Sequence, residues 1–427
     1  MEVFESKIDE LVDLRDGYFE KYPNSTEAER VKTVREKALL LLEDVPLSGY
    51  PRSAVRYLQC GRILNACVAY DPRCEELLSK AVKLDPDALA WLELGICLSK
   101  KPDIQFAVEC VECSLELERT SRALYTLSML LRAKLMKTVD LFFNTGQVNE
   151  DLLKRACSEY RLALQCGKEY RNADLHLNAG AAFRYEENYA EALTNLRLAV
   201  KYDPSNVIGS HGRLSSFTQF LVNVASGIQN AGGLRAKRIA EFKTSLPSAS
   251  SMNPFTDYKL VTSFKDLKKG PNSRVAVVGK IVSTVPHEEI VPITSIMMDA
   301  EGDCIAVSVY NCAPSLTFSI GDTVIVADPH VTEVENLDLP NLSNVSFRSV
   351  RVPNPSKISR NGSLPKSTQL APSHLKISAL SFDGFGTRTD RSDTLDRFGR
   401  SKFCKKNFYE SYQREPSTVP HEEIVPM

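Results

Sequence analysis

The sequence predicts an α class with a separate β domain: a solenoid of helical hairpins followed by a small β-barrel. Three observations predict it. Asp174 to Pro204 reads DLHLNAGAAFRYEENYAEALTNLRLAVKYDP, two amphipathic helices with small residues at set places and a closing proline. That pattern recurs, because Gly61 and Gly95 hold the same place in two earlier copies, 34 residues apart. Beyond residue 254 the helical period gives way to short β-branched runs separated by turns.

The elements follow in order. Val3 to Phe19 and Glu27 to Leu42 carry apolar residues at three- and four-residue spacing, split by YPNST, and read as helices capping the solenoid over residues 1–50. The solenoid spans residues 51–243. Its first repeat has Gly61 near position 8 and closes on AVKLDP; its second carries Trp91, Leu94, Gly95 and Ala107. The fourth, numbered from Ala173, puts Gly180 at position 8, Phe183 at 11, Tyr189 at 17, Ala192 at 20, Leu196 at 24, Ala199 at 27 and Pro204 at 32. These are the places a tetratricopeptide repeat fills: small residues let the two helices touch, and large ones fill the gap to the next hairpin. Repeats of this kind build concave surfaces that hold peptides.

The third repeat breaks the rhythm. YTLSMLLRAK is a good first helix with Met129 at position 8, yet Ala156, Tyr160 and Ala163 of the second arrive about 15 positions late. Either the hairpin has a long connection or about one repeat is missing. Leu214 to Ile228 and Leu234 to Phe242 read as closing helices.

TSLPSASSMNP, residues 244–254, reads as a Ser/Pro linker. Over residues 255–353, five runs read as strands: Val275 to Val282, Ile293 to Met298, Cys304 to Tyr310, Asp322 to Ala327 and Val345 to Val352. They suit a small closed barrel of the oligonucleotide/oligosaccharide-binding (OB) type. Tyr310 is the aromatic of these strands, and acids outnumber bases, which argues against binding single strands by base stacking. From 354 to 427 the Ser/Pro-rich, then basic, composition predicts disorder. STVPHEEIVP occurs twice, at Ser283 to Pro292 and Ser417 to Pro426, as a duplicated segment or as a terminal arm that pairs with the barrel edge.

Composition narrows the function class. A net charge of −1 over 427 residues names no partner, and eleven cysteines behind an acidic N-terminus lead us to expect a reducing compartment. No apolar run reaches the roughly 18 residues of a membrane helix, so no membrane partner is expected. Cys110 and Cys113 form a lone CxxC inside a repeat helix, and His176 and His211 lack ligand-spaced partners. Phosphate loops, paired catalytic carboxylates and nucleophile motifs do not occur. The chain reads as a binder with no cofactor, not an enzyme.

ELLSKAVKLDPD, LSMLLR, FFNTGQ, DLHLN, YEENYAEAL, VAVVGKIV, YNCAPS, IGD and SFRSVRV together resemble the tetratricopeptide repeat protein 5 family over roughly Leu58 to Pro353. Three departures stand beside the match: the stretch before LFFNTGQ, the tail after Asn361, and a loose N-terminal 50 residues. The resemblance implies a cytosolic and nuclear adaptor. It would recognise the Met-Arg-Glu start of nascent tubulin at the ribosome and lead to tubulin mRNA decay through an adaptor and a deadenylase. The alternative it implies is a scaffold for acetyltransferase coactivators in stress transcription, its OB fold meeting chromatin or those partners. A generic cochaperone adaptor is a third reading, but the Lys/Asn set for gripping a terminal carboxylate is lacking.

Groove positions 2, 5, 9 and 12 of the fourth repeat are Asp174, Leu177, Ala181 and Arg184, an acid and a base with apolar residues between them. Asp174 suits an incoming arginine through a charge-assisted bond, or serves as a helix N-cap, or both. By resemblance Asp174 matches a peptide-binding acid, and Arg132 matches an arginine that meets the peptide. A further acidic family position falls near Ile208 and Gly209, neither of them acidic. Arg235, Lys237 and Arg238 align with a basic helix that faces ribosomal RNA, where three charges neutralise phosphates.

Overall fold

The computed structural model describes residues 2–22, 25–43, 53–101, 104–137, 150–166, 173–204, 206, 208–286, 292–313, 315–339 and 342–370. The helical part opens with α1 (Glu2–Asp16), the single turn α2 (Tyr18–Lys21) and α3 (Glu27–Glu43). Ile8 and Leu11 of α1 share a core with Val34, Ala38 and Leu41 of α3 and with Cys60 and Ile63 of the following hairpin. The N-terminal cap is thus built like one more hairpin, its apolar stripe turned into the stack.

Among the described residues four hairpins follow: α4 (Ala54–Asn65) with α5 (Pro72–Leu84), α6 (Ala88–Ser99) with α7 (Gln105–Leu117), α8 (Ser121–Lys137) with α9 (Glu150–Cys166), and α10 (Ala173–Glu186) with α11 (Tyr189–Tyr202). Short polar side chains start several of them. Ser53 accepts from the Arg56 amide, Asp71 from Arg73, and Asp87 from Leu89 and Ala90, filling the N–H groups that a first turn leaves without helical partners.

Position 8 explains the close approach within a hairpin. A Cβ on Gly61 would lie 2.5 Å from Leu78 Cγ, on Gly95 2.6 Å from Val111 Cγ2, and on Gly180 2.9 Å from Leu196 Cγ. Each glycine meets its own second helix at a distance that only a missing side chain permits. Met129 holds this position in the third hairpin, where the Tyr160 hydroxyl donates to its sulfur at 3.1 Å. Ser121 Oγ also donates to the Ala163 carbonyl at 2.8 Å, so α8 and α9 pack as a pair despite the late small residues. Their connection, residues 138–149, lies outside the described residues.

α12 (Ser210–Gln229) and α13 (Ala236–Ser245) end the helical part. The segment expected to be a linker instead completes α13 and continues as a 3-10 helix, Pro247–Met252. Proline suits the first turn of a helix, and the serines bond back to carbonyls three residues earlier, Ser248 to Ser245 and Ser251 to Ser248. Leu246 is buried with Ala276, Val278 and Ile325 of the β domain.

That domain is one curled sheet. Its strands are β1 (Lys259–Val261), β2 (Gly270–Pro271), β3 (Val275–Thr284), β4 (Ile293–Met298), β5 (Cys304–Val309), β6 (Thr323–Ala327), β7 (His330–Leu339), β8 (Leu342–Val352) and β9 (Ile358–Arg360). They lie in the order β2-β7-β8-β5-β4-β3-β6-β9, with β1 parallel to β3. Five closed strands were the expectation; the described path forms a barrel wall whose ends do not join. β7 escapes sequence reading because its apolar residues do not alternate strictly: the register with β8 shifts twice, and Asn336 takes φ +53°.

The fold also continues past residue 353, where disorder was expected. β9 pairs with β6, and Cys312 bridges Leu370. Here polar and proline residues form turns: Asn354 accepts from the Ser356 amide as Pro355–Lys357 makes a 3-10 turn. Residues 371–427, with the second STVPHEEIVP, lie outside the described residues, as do residues 287–291 of the first copy.

The sheet seats on the last solenoid helix. Phe217, Phe220, Leu221 and Val224 of α12 share a core with Val282, Ile296, Met298, Val334, Leu337 and Phe347 of the sheet. The sheet covers a face that a second helix covers in the preceding hairpins, and each buried aromatic contributes about 1.5–3 kcal/mol. Gly232, at φ +66°, lies where a Cβ would sit 2.3 Å from the Val282 carbonyl oxygen, so this close contact requires glycine twice over. Phe347 of β8 is a strand aromatic additional to Tyr310, and both are buried, leaving neither ring open for base stacking. No described helix is long and apolar enough to cross a membrane.

Adding one methyl at Gly95 forces the stiff Val111 side chain to move. Gly95→Ala is expected to lower unfolding stability by about 1–3 kcal/mol in a denaturant titration, and an unchanged midpoint would contradict this packing.

Candidate functional site

The first helices of the hairpins are α4, α6, α8 and α10, the helices expected to line the groove. In the N-terminal half, charges alternate from helix to helix. Arg62 of α4 pairs with Glu5 and, at 2.9 Å, with Asp9 of α1; it also lies 3.9 Å from Glu93 of α6, which Arg122 of α8 reaches at 2.9 Å. Asn65 donates to the same carboxylate at 2.7 Å. Burial pushes the Glu93 carboxyl up, but the Arg122 and Arg62 guanidiniums and the Asn65 amide outweigh it and hold it below the usual carboxylate range. A charged ligand entering here has to break an existing buried pair, which is costly.

In the C-terminal half, α10 carries the predicted groove residues. The helix starts at Ala173, so Asp174 sits inside its first turn, not ahead of it as an N-cap. There a carboxylate is favoured by the partial positive charge of the helix start. Asp174 and Leu177 are buried, while Ala181 and Arg184 are partly exposed. The Arg184 guanidinium lies over Phe217 and Phe220 of α12, 5.0 and 5.6 Å from their ring centres. Asn178 donates to the Tyr125 hydroxyl at 3.3 Å, tying α10 to α8. Arg132 lies within α8, but its side chain is outside the described residues.

Near the departed acidic position, Gly209 takes φ +72° to start α12. The nearby Asp203 accepts from the Ile208 amide and, at 2.8 Å, from Ser210 Oγ, so this acid turns the chain.

The basic residues occupy the beginning of α13. Arg235 is the residue before the helix, and Lys237 and Arg238 lie in its first turn, all exposed. Arg238 pairs with Glu241 at 3.0 Å and stacks on Phe242 at 4.6 Å. Arg235 and Lys237 have no ion pair among the described residues. Of the weaker candidates, His176 and Cys110 are buried: His176 bonds Asn195 at 3.0 Å and burial lowers its basicity, while burial pushes the Cys110 thiol well up; His211 is exposed and Cys113 half-buried. Among the described residues no group of three or more metal-ligating side chains gathers.

One cluster was not legible in the sequence. Glu187, just after α10, has φ +66° and a fully buried side chain. Its carboxylate accepts from Tyr310 at 2.9 Å and Thr332 at 3.1 Å and lies 3.9 Å from Arg351, all from the β domain. Arg351 in turn donates to the Tyr185 carbonyl and lies 4.0 Å from the centre of the Tyr310 ring, which meets Tyr185 edge-on. Burial pushes the Glu187 carboxyl up, and Arg351, Tyr310 and Thr332 offset this only in part. A helix-ending residue at positive φ is commonly glycine or asparagine, and a glutamate there costs about 1–2 kcal/mol. The sequence signal is only that YEEN ends a helix without either residue at the left-handed position.

Because the Glu93 carboxyl is held low when folded, its contribution is present above the unfolded carboxyl value and vanishes as pH falls through the folded one. Glu93→Gln is therefore expected to cost about 3 kcal/mol near neutral pH, and a gap that closes on acidification is the sign to look for in denaturant titrations at several pH values.

Known proteins are similar to this chain in sequence. The family described as the tetratricopeptide repeat protein 5 OB fold domain matches residues 258–374. Human (Homo sapiens) tetratricopeptide repeat protein 5 is 32% identical over 411 residues, spanning 83% of this chain and 91% of the human protein. The Mus musculus protein of the same name is 31% identical over 416 residues, spanning 85% and 93%. Among solved structures, YrrB, titled a TPR protein with an unusual peptide-binding site, aligns with TM-score 0.28 and 18% identity, covering 49% of this chain and 97% of its own.

Proposed function

The chain belongs to the tetratricopeptide repeat protein 5 family, and from that premise we propose that it is a non-enzymatic adaptor that recognises the N-terminus of nascent tubulin at the ribosome and triggers tubulin mRNA decay. The observation that carries this reading is the placement of Asp174 in the first turn and Arg184 in the last turn of α10. Neighbouring side chains of an extended peptide project in opposite directions. An arginine followed by a glutamate can then extend toward the acid at one end of α10 and the base at the other.

In this reading Asp174 takes the peptide's arginine in a charge-assisted bond, and Arg132 with Arg184 receives the glutamate. Arg184 is pre-set for this by the two phenylalanines beneath it, which reduces the ordering that binding requires. The exposed Arg235, Lys237 and Arg238 approach ribosomal RNA as point charges on the phosphate backbone. The adaptor and deadenylase of the decay pathway are recruited from other surfaces, in the cytoplasm. The family's nuclear role as a coactivator scaffold is the second reading.

A labelled peptide beginning Met-Arg-Glu is expected to bind the wild type and to bind Asp174→Ala and Arg132→Ala at least about tenfold more weakly, a weakening of about 1.4 kcal/mol or more. Equal, weak binding by all three proteins would end the peptide-reader reading. For the ribosome, Arg235→Ala with Lys237→Ala should flatten the salt dependence of co-sedimentation by about 0.7–0.9 for each phosphate no longer neutralised. An unchanged slope would remove these residues from the RNA interface.

A further inference from the structure

Glu187 is an unsuitable residue for its backbone and an unsuitable charge for its surroundings. It ends α10 in the left-handed conformation, with its own amide bonded to the Arg184 carbonyl and the Asn188 amide to the Phe183 carbonyl. That turn needs no side chain at all. Yet the side chain is a carboxylate with no exposure, and among the described residues its partners Tyr310, Thr332 and Arg351 all belong to the β domain. A strained residue that also encloses a charge persists where the surrounding structure makes use of it.

The use is visible in what the cluster touches. Arg351 of β8 donates to the Tyr185 carbonyl, one residue from Arg184. Arg184 rests on Phe217 and Phe220 of α12, and Tyr189 packs between Phe217 and Phe347 of β8. The route from the sheet to the groove is therefore continuous: β8, the last turn of α10, Arg184, α12 and back to β8. On its outer side the cluster borders a cleft of about 470 Å³ between the α10–α11 turn and β7, so the seam is not sealed by apolar packing there.

We propose that Glu187 is a positioning residue that couples the β domain to the groove: docking of the sheet holds the last turn of α10, and with it Arg184 against α12, so that docking and groove shape form one equilibrium. If each state of the seam favours one state of the groove, a ligand of either site biases the other by the same factor. Coupling across the seam stands on the geometry alone; its consequence for peptide binding rests on the function proposed above.

The experiment compares Glu187→Gly and Glu187→Gln with the wild type by amide hydrogen exchange of the full chain. Were Glu187 only a helix end, glycine would relieve its backbone and protection would hold or rise. Coupling predicts the reverse: exchange at least tenfold faster in three segments together, the end of α10, α12 and β8, with α6 and α7 unchanged. Protection retained in the glycine variant, or faster exchange confined to β8, would overturn the proposal. Should the glycine variant lose protection in α6 and α7 as well, it has unfolded, and Glu187→Gln decides, since it keeps the side-chain shape and an acceptor for one of the two hydroxyls. The glutamine variant is expected to show the same three-segment pattern, and no change in them overturns the coupling.

Peptide affinity supplies the second readout. The Met-Arg-Glu peptide should bind Glu187→Gln at least tenfold more weakly, and unchanged affinity alongside loosened docking would again overturn the coupling. A wild type that binds no peptide would instead defeat the groove reading and leave the exchange result standing.

Discussion

Enclosing the Glu187 carboxylate at the junction of two domains constrains the rest of the molecule, because its partners are supplied by the sheet while its backbone ends a solenoid helix. An isolated buried charge is too costly to keep, so the domains must meet with Arg351, Tyr310 and Thr332 in reach. The aromatic set behind the carboxylate, Tyr185, Tyr189, Phe217 and Phe347, then packs in one arrangement. Apolar packing lines the rest of this seam, with Phe217, Phe220 and Leu221 of α12 in one core with Val334 and Phe347 of the sheet.

The two halves of the groove differ for a related reason. Between α1 and α8 the charges answer one another, Glu5 and Asp9 to Arg62, Arg62 and Arg122 to Glu93. Farther along, α10 carries Asp174 and Arg184, and the Arg184 guanidinium lies over the rings of Phe217 and Phe220. The paired charges and the seam flank this stretch of helix from its two sides.

Much of the architecture was legible because local rules and the tertiary fold agree. Gly61, Gly95 and Gly180 mark the helix contacts directly, since only a residue without a Cβ fits against Leu78, Val111 and Leu196. Strands β3 to β6 read easily because their apolar runs are buried over most of their length. β7 did not, because bulges break the two-residue alternation on which such readings rest. Pro247 to Met252 and residues 354–370 misled in the opposite direction: proline and serine occur in loops and in capped 3-10 turns alike, and only contact with the barrel separates the cases.

The candidate site divides the same way. Sequence by itself determined that Asp174 and Arg184 lie on one helix and that Arg235, Lys237 and Arg238 cluster at the start of another, because both follow from helical period and short spacing. It could not determine that Glu93 joins Arg62 to Arg122, that Arg184 lies on Phe217, or that Glu187 meets Arg351 across more than a hundred residues of chain. A periodic pattern specifies which face of a helix is buried, since 3.6 residues per turn is a property of the chain alone. Which charge stands opposite which is settled only when separate elements are brought together, and the cost of leaving a buried charge unmatched then selects the pairing.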